Sequence, residues 1–272
     1  MSISLVSQRV FHESADISLA VSDYKSANYP ITYTAGDYIY IGTTSPMTNV
    51  WVEMSTVSGV DAGKAIVELW FNRAWAPAVD ILDQTNGMMS KGRISWTVEK
   101  YNGGWNCEPK SEDIGLSGTN IYDRYWLRIS WPGSFNAVLE ILGQKFSDDT
   151  SLATYYPDLV LNTQLLTGFK PGKTNWDEQH FAASDLILKD LRKRKVIKEA
   201  NQVYDWQVME EASCHRVAEI IYSAFGAPYR EHMLLAHKKY EEEIAGVFNF
   251  DLDMSGSLDE FERNDSIGWM KR

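Results

Sequence analysis

Cysteine is nearly missing from this 272-residue chain: Cys107 and Cys214 are the only two. Thiols so far apart make neither a disulfide framework nor a metal pattern, and both read as small buried hydrophobes. Histidine is scarce as well, five in all. His232 and His237 are five apart, a poor helical spacing for a shared metal, and no His-Glu-x-x-His run occurs. Cys214 and His215 are neighbours, and adjacent helical residues point about 100° apart, so they do not form a nucleophile–base pair with each other. Phosphate-loop and dinucleotide glycine patterns are missing, as is a Gly-x-Ser-x-Gly elbow. Asp80 and Asp83, beside Asn86-Gly87, read as strand-end and turn residues rather than a catalytic carboxylate pair. The expectation is a protein that is not an enzyme.

Long apolar runs are absent too. No stretch of about 18 apolar residues is present to span a membrane. Met1 to Val10 lacks the basic start and apolar core of a signal peptide. The chain is expected to be made and kept in the cytoplasm. Positive charge is in deficit, 26 Lys and Arg against 37 Asp and Glu, for a net charge of −11. An acidic chain gains nothing from counter-ion release on nucleic acid, so protein partners or cations are the better expectation. The one basic run, Lys189, Arg192, Lys193, Arg194, Lys195 and Lys198, reads as a solvated helix end whose cations suit the C-terminal dipole.

What the chain does have is a β-rich first part. Tyr38 to Gly42 follows the turn signal Ala35-Gly36-Asp37, and Val50 to Met54 and Ala65 to Phe71 are further β-favouring runs. Gly92 to Glu99 alternates, with Ile94, Trp96 and Val98 on one side, and Tyr125 to Trp131 makes another strand. Many short strands separated by turns predict an antiparallel β-sandwich, jelly-roll-like. Seven of the ten tryptophans fall here, suited to filling the space between two sheets.

After Ser147-Asp148-Asp149-Thr150 a polar stretch and then Gly168 to Lys173 read as linker and turn. A helical period follows. Asn175 is the expected N-cap of a helix with Phe181, Ser184, Ile187, Leu188 and Leu191 on its stripe. Asn201-Gln202 breaks the pattern. Asp205 caps a second helix with Met209, Ser213, Val217, Ile220, Ile221 and Ala224, ending at Gly226. Tyr229, Met233, Ala236, Tyr240 and Ile244 mark a third. The whole is expected to be α+β: a β-sandwich module at 1–160, a small α-helical bundle at 161–249, and an EF-hand-like loop with the C-terminal tail at 250–272. The helical faces look modest in area, so the bundle is expected to finish its burial against neighbouring subunits.

Residues 251–262, Asp-Leu-Asp-Met-Ser-Gly-Ser-Leu-Asp-Glu-Phe-Glu, fit a twelve-residue calcium loop position by position. Asp251, Asp253 and Ser255 offer side-chain oxygens at positions 1, 3 and 5. Gly256 permits the turn, Ser257 offers its carbonyl, Asp259 stands at position 9, and Glu262 chelates at position 12. Four carboxylates so close repel one another unless a hard cation such as Ca2+ joins them. A single loop, with Gly268 soon after it, suits a static clip better than a paired sensor.

Asn175 to His180, Asn201-Gln202 with Asp205-Trp206, Ala218 to Tyr222, and the tyrosine-bearing helix running into the aspartate-rich loop resemble the head-to-tail connector (adaptor or neck) proteins of tailed bacteriophages. Gly36 to Gly42, Gly92 to Trp96 and Tyr125 to Ile129 resemble a β-sandwich module recurrent in phage structural proteins. The resemblance implies a virion structural protein of the neck. Its implied state is a homo-oligomeric ring, a dodecamer, between the portal protein and a tail-side neck or terminator protein, with capsid or whisker contacts. DNA would at most line the channel, and no membrane is involved. The alternative is a calcium-bearing sandwich that binds carbohydrate, with Trp75, Trp105 or Trp131 as sugar platforms.

Overall fold

The computed structural model describes residues 8–24, 27–98, 105, 124–246, 250–252 and 254–255. The fold is α+β: two antiparallel sheets, a β-sandwich, followed by helices. The chain divides into two compact units, residues 1–143 with 253–257 and residues 144–252 with 258–272.

The first unit holds β1 (Gln8–His12), β2 (Ala15–Asp16), β3 (Tyr29–Tyr33), β4 (Ile39–Thr43), β5 (Asn49–Thr56) and β6 (Ile66–Phe71). It continues with β7 (Ala74–Pro77), β8 (Val79–Asp83), β9 (Gly92–Thr97), β10 (Tyr125–Ser130) and β11 (Phe135–Gly143). One sheet has the order β2-β1-β4-β10-β6-β7 and the other β3-β11-β5-β9-β8. The two last strands are not added at an edge. β10 inserts between β4 and β6, and β11 inserts between β3 and β5. The first sheet is incomplete until β10 (Tyr125–Ser130) is in place and the second until β11 (Phe135–Gly143), so the pairing is dominated by long-range contacts.

Alternation chooses the faces. Ile39 and Ile41 lie beside Ile129 and Leu127, and these beside Val67 and Leu69, all within the buried interior. Tyr33 holds a corner where the chain changes sheets. Its hydroxyl donates to the Asp37 carbonyl at 2.6 Å and accepts from the Trp131 N–H at 2.9 Å. Its ring stacks on Phe135 at 4.7 Å and meets Trp131 edge-on at 5.5 Å. The sheet edges are unsuited to strand addition. β2 is two residues long, β3 and β7 carry Pro30 and Pro77, and β8 is irregular with Asp80 at φ +53°.

The second unit opens with α1 (Asp149–Tyr155), α2 (Pro157–Leu161) and α3 (Thr163–Phe169). The expected linker therefore contains three helices, and α1 and α2, read from sequence as part of the sandwich module, belong to the helical unit. At five to seven residues they are too short to show a 3.6 period. Their signals are local. Asp148 and Ser151 form a reciprocal capping box, Pro157 takes the first turn of α2, and the Asn162 side chain accepts from the Gln164 N–H.

α4 (Asp177–Lys193), α5 (Glu210–Phe225) and α6 (Arg230–Gly246) are the three expected helices. Trp176 rather than Asn175 is the N-cap of α4, though the Asn175 carboxamide oxygen accepts from the Asp177 N–H at 3.3 Å. Asp205 accepts from the Gln207 N–H at 2.9 Å but is not the expected cap: Trp206 starts the 3-10 turn that leads into α5 and Met209 starts α5 itself, neither with a side-chain cap. Gly226 ends α5 at φ +72°. Ala224 is exposed and Ile220 only half-buried, because α5 turns Cys214, Ala218 and Tyr222 inward.

Two apolar clusters fill this unit. Ile187, Leu191, Met209, Tyr240 and Ile244 centre one, and Trp176, Ala183, Val217, Ile221 and Ala236 the other, all without measurable exposure. Each aliphatic side chain so buried stabilises the fold by about 1.5–3 kcal/mol. The bundle is thus better filled than its sequence stripes suggest. No described helix is long and apolar enough to cross a membrane.

Candidate functional site

Of the six residues expected to ligate calcium, only Asp251 and Ser255 are described; Asp253, Ser257, Asp259 and Glu262 lie outside the described residues. What is visible is how the loop begins. Phe250 bridges to Val203, and the Asp251 N–H donates to the Gln202 carbonyl at 2.9 Å. The Gln202 amide nitrogen donates to the carbonyls of Asp251 at 2.9 Å and Leu252 at 3.3 Å. Its amide oxygen accepts from the N–H groups of Lys198 at 2.6 Å and Glu199 at 2.8 Å. One side chain thus latches the entry of the loop to the turn after α4, leaving Asp251 buried and Met254 at φ +60°. Sequence reasoning took Gln202 for a helix break and missed this role. Among the described residues no three His, Cys, Asp or Glu side chains gather as a metal site.

A second cluster joins the loop before α1 to α4 and α5. Ser147 Oγ lies 2.7 Å from His180 Nδ1 and 2.7 Å from Ser213 Oγ, and His180 Nε2 lies 3.1 Å from Asp149 Oδ1. Burial lowers the His180 pKa, so the ring is neutral at neutral pH; Asp149 favours the charged form but does not reverse this. The partners then assign every proton: Nε2–H donates to Asp149, the Ser147 hydroxyl donates to Nδ1, and Ser213 donates to Ser147. Asp149 also accepts the Trp176 N–H at 3.2 Å.

Serine, histidine and aspartate in contact invite a hydrolase reading. His180, however, has no exposure and Ser147 has 5%. The neighbouring Phe146 N–H is spent on Ser184 Oγ at 3.0 Å. Among the described residues nothing here admits an acyl group or waits for its oxyanion, and the cluster is a hydrogen-bonded buried network that ties the loop before α1 to α4 and α5.

Nearby, Cys214 and His215 part as expected. The thiol faces Ser151 Oγ at 3.6 Å, while His215 Nδ1 meets the Tyr156 hydroxyl at 2.9 Å. Burial pushes the Cys214 thiol up to about 12, so it is not a nucleophile. Cys107 lies outside the described residues. His237 pairs with Glu219 at 3.2 Å, whereas His232 sits against the Tyr222 and Tyr229 rings. All six cations of the basic run are exposed. Asp83 acts as a turn residue, its carboxylate accepting from the N–H groups of Ala65 and Thr85 and from the Thr85 hydroxyl.

The third cluster lies on the face of the β1–β4–β10–β6 sheet turned away from Ile39 and Ile41; its Phe11, Tyr40, Trp70 and Trp126 are buried, and Tyr38 and Trp75 pack partly buried against them. Register places Phe11, Tyr40, Arg128 and Glu68 side by side across four strands, and Trp70 opposite Trp75. The Arg128 guanidinium lies 3.9 Å from the Tyr38 ring centre and 4.7 Å from that of Trp75, and its Nε donates to Glu68 at 2.6 Å. Trp70 and Tyr40 back Trp75 at 5.1 and 5.9 Å. Of the three tryptophans considered as sugar platforms, Trp131 is buried at the Tyr33 corner and Trp105 donates to the Trp126 carbonyl from a buried position. Trp75 is only half-buried.

Comparison with known proteins returned no match to a family model, a curated protein or a solved structure.

Proposed function

We propose that this protein is a structural subunit of a tailed-phage neck, assembling with copies of itself into a ring between portal and tail. The observation that carries the reading is the two-sided use of α6. Ala236, Tyr240 and Ile244 enter the core, while Leu234 and Leu235, on the opposite side, are 52% and 55% exposed. Adjacent leucines on the outer face of a helix that already has a core are a contact surface in waiting. The closed sheet edges favour association through such a helix face over strand pairing. The portal on one side and a tail-side neck protein on the other are the partners this reading requires.

In this reading the loop 251–262 holds one Ca2+ through Asp251, Asp253, Ser255, Ser257, Asp259 and Glu262, and clips the C-terminal segment to the helical unit. Light scattering and negative-stain imaging, alone and with portal, test the assembly. Rings, or incorporation on portal, are expected, and Leu234→Glu with Leu235→Glu should abolish both. A chain that stays monomeric and ignores portal overturns the proposal. Calorimetric titration with Ca2+ tests the clip: heats equal to those of Asp251→Ala and Glu262→Ala remove it.

A further inference from the structure

The sheet face around Arg128 is costly to explain as packing alone. An ion pair drawn partly out of water among aromatic rings returns little stability, and apolar side chains of the same size serve as well or better. Here Arg128 and Glu68 are only 16% and 21% exposed. Glu68 keeps its second oxygen, Oε1, without a hydrogen-bond partner among the described residues. The turn that sets Trp75 opposite Trp70 is formed by Asn72 and Arg73, at φ +49° and +64°. Two such residues make the turn usual for a two-residue hairpin, so the Trp70–Trp75 pair is set by ordinary hairpin geometry.

The chemistry of a ligand follows from the groups. Tyr38 and Trp75, partly buried at the edge of the cluster, offer apolar ring surface supported by Tyr40 and Trp70. Between them lies a fixed acceptor beside a fixed donor, the usual composition of a small-molecule site. The Arg128–Glu68 pair is neutral as a whole. An anion would meet the Glu68 carboxylate, and a cation would meet an arginine already in the place it needs. A pyranose ring fits both halves: its C–H face lies on an aromatic side chain, and adjacent hydroxyls both donate and accept at its rim.

We propose that this face binds a neutral saccharide, with Trp75 and Tyr38 as apolar walls and the Glu68–Arg128 pair as the hydroxyl-binding edge. The site belongs to the sandwich unit and does not rest on the assembly reading.

Saturation-transfer NMR of the full chain with chitohexaose, and separately with cellohexaose, tests it. Transfer to sugar ring protons is expected with at least one, and the two arms separate an N-acetylated glycan from a plain one. In Glu68→Gln, which keeps size and shape, and in Trp75→Ala, affinity should fall about tenfold or more. Circular dichroism of each variant establishes that it is folded; if Trp75→Ala is not, Glu68→Gln decides alone. No transfer from either sugar to the wild-type chain overturns the proposal, as does undiminished affinity in Glu68→Gln.

Discussion

Trp126 occupies the space that a side chain at Gly42 would need. A Cβ there would stand 2.7–2.9 Å from three carbons of the indole, in neighbouring strands whose residues pair directly. The indole is itself 1% exposed and has nowhere to retreat. Gly42→Ala should therefore cost about 1–3 kcal/mol, the range for overpacking a filled core. Gly42→Val should cost more. Urea titrations followed by tryptophan fluorescence measure both; an alanine variant as stable as the wild type would show that the ring moves freely.

Tyr33 supports the second prediction. Its hydroxyl is donor to the Asp37 carbonyl and acceptor for the Trp131 N–H, and burial pushes its pKa up to about 12. Tyr33→Phe keeps both ring contacts but leaves the Trp131 N–H without its acceptor. The expected loss is about 1–3 kcal/mol, the cost of an unpaired buried polar group. Chemical denaturation checks it, and a loss below a few tenths of a kcal/mol would mean that water replaces the hydroxyl.

The reach of the sequence can be judged element by element. β4, β5, β6, β9 and β10 were legible because each is a β-favouring run or alternates against a clear turn. β1, β2, β3, β7, β8 and β11 were not. The first five are edge or near-edge strands of two to five residues, whose polar outer positions and prolines resemble loops. β11 is central and nine residues long, but its Ala137, Leu139, Glu140 and Leu142 suit a helix as well as a strand. The three long helices announced themselves by period, whereas α1 to α3 are too short to have one. His180 and Gln202 carry no local signature: each acts through partners 31 to 50 positions away, and only the folded chain brings these together.

His180 also sets a pH dependence. In the fold it is neutral, because burial lowers its pKa, while in the unfolded chain it titrates near the ordinary value of 6.5. The unfolded chain then binds more protons below that pH, so this contribution is complete above about 6.5 and is lost as the pH falls. The slope from one such group is up to about 1.4 kcal/mol per pH unit. His215, lowered by burial more than Glu211 raises it, adds to the same trend. Melting temperature should fall between pH 7.5 and 5.5, and His180→Asn should flatten that fall even though it starts less stable. A parallel pH profile in the variant would rule out His180 as the source.

The Gln202 latch gives the last prediction, and it is independent of any cation. Gln202→Ala removes two acceptor contacts, to the N–H groups of Lys198 and Glu199, and two donor contacts, to the carbonyls of Asp251 and Leu252. The backbone bond from Asp251 N–H to the residue 202 carbonyl survives, so the segment is loosened rather than released. Limited proteolysis should then cut near residue 250 several times faster than in the wild type, with the sandwich and the three long helices still folded by circular dichroism. Were Ca2+ to restore the wild-type cleavage rate in Gln202→Ala but not in Gln202→Ala with Glu262→Ala, latch and loop would be two independent ties on one segment. Cleavage at the wild-type rate without any cation would mean that the Val203–Phe250 bridge and the packing of Phe250 hold the segment by themselves.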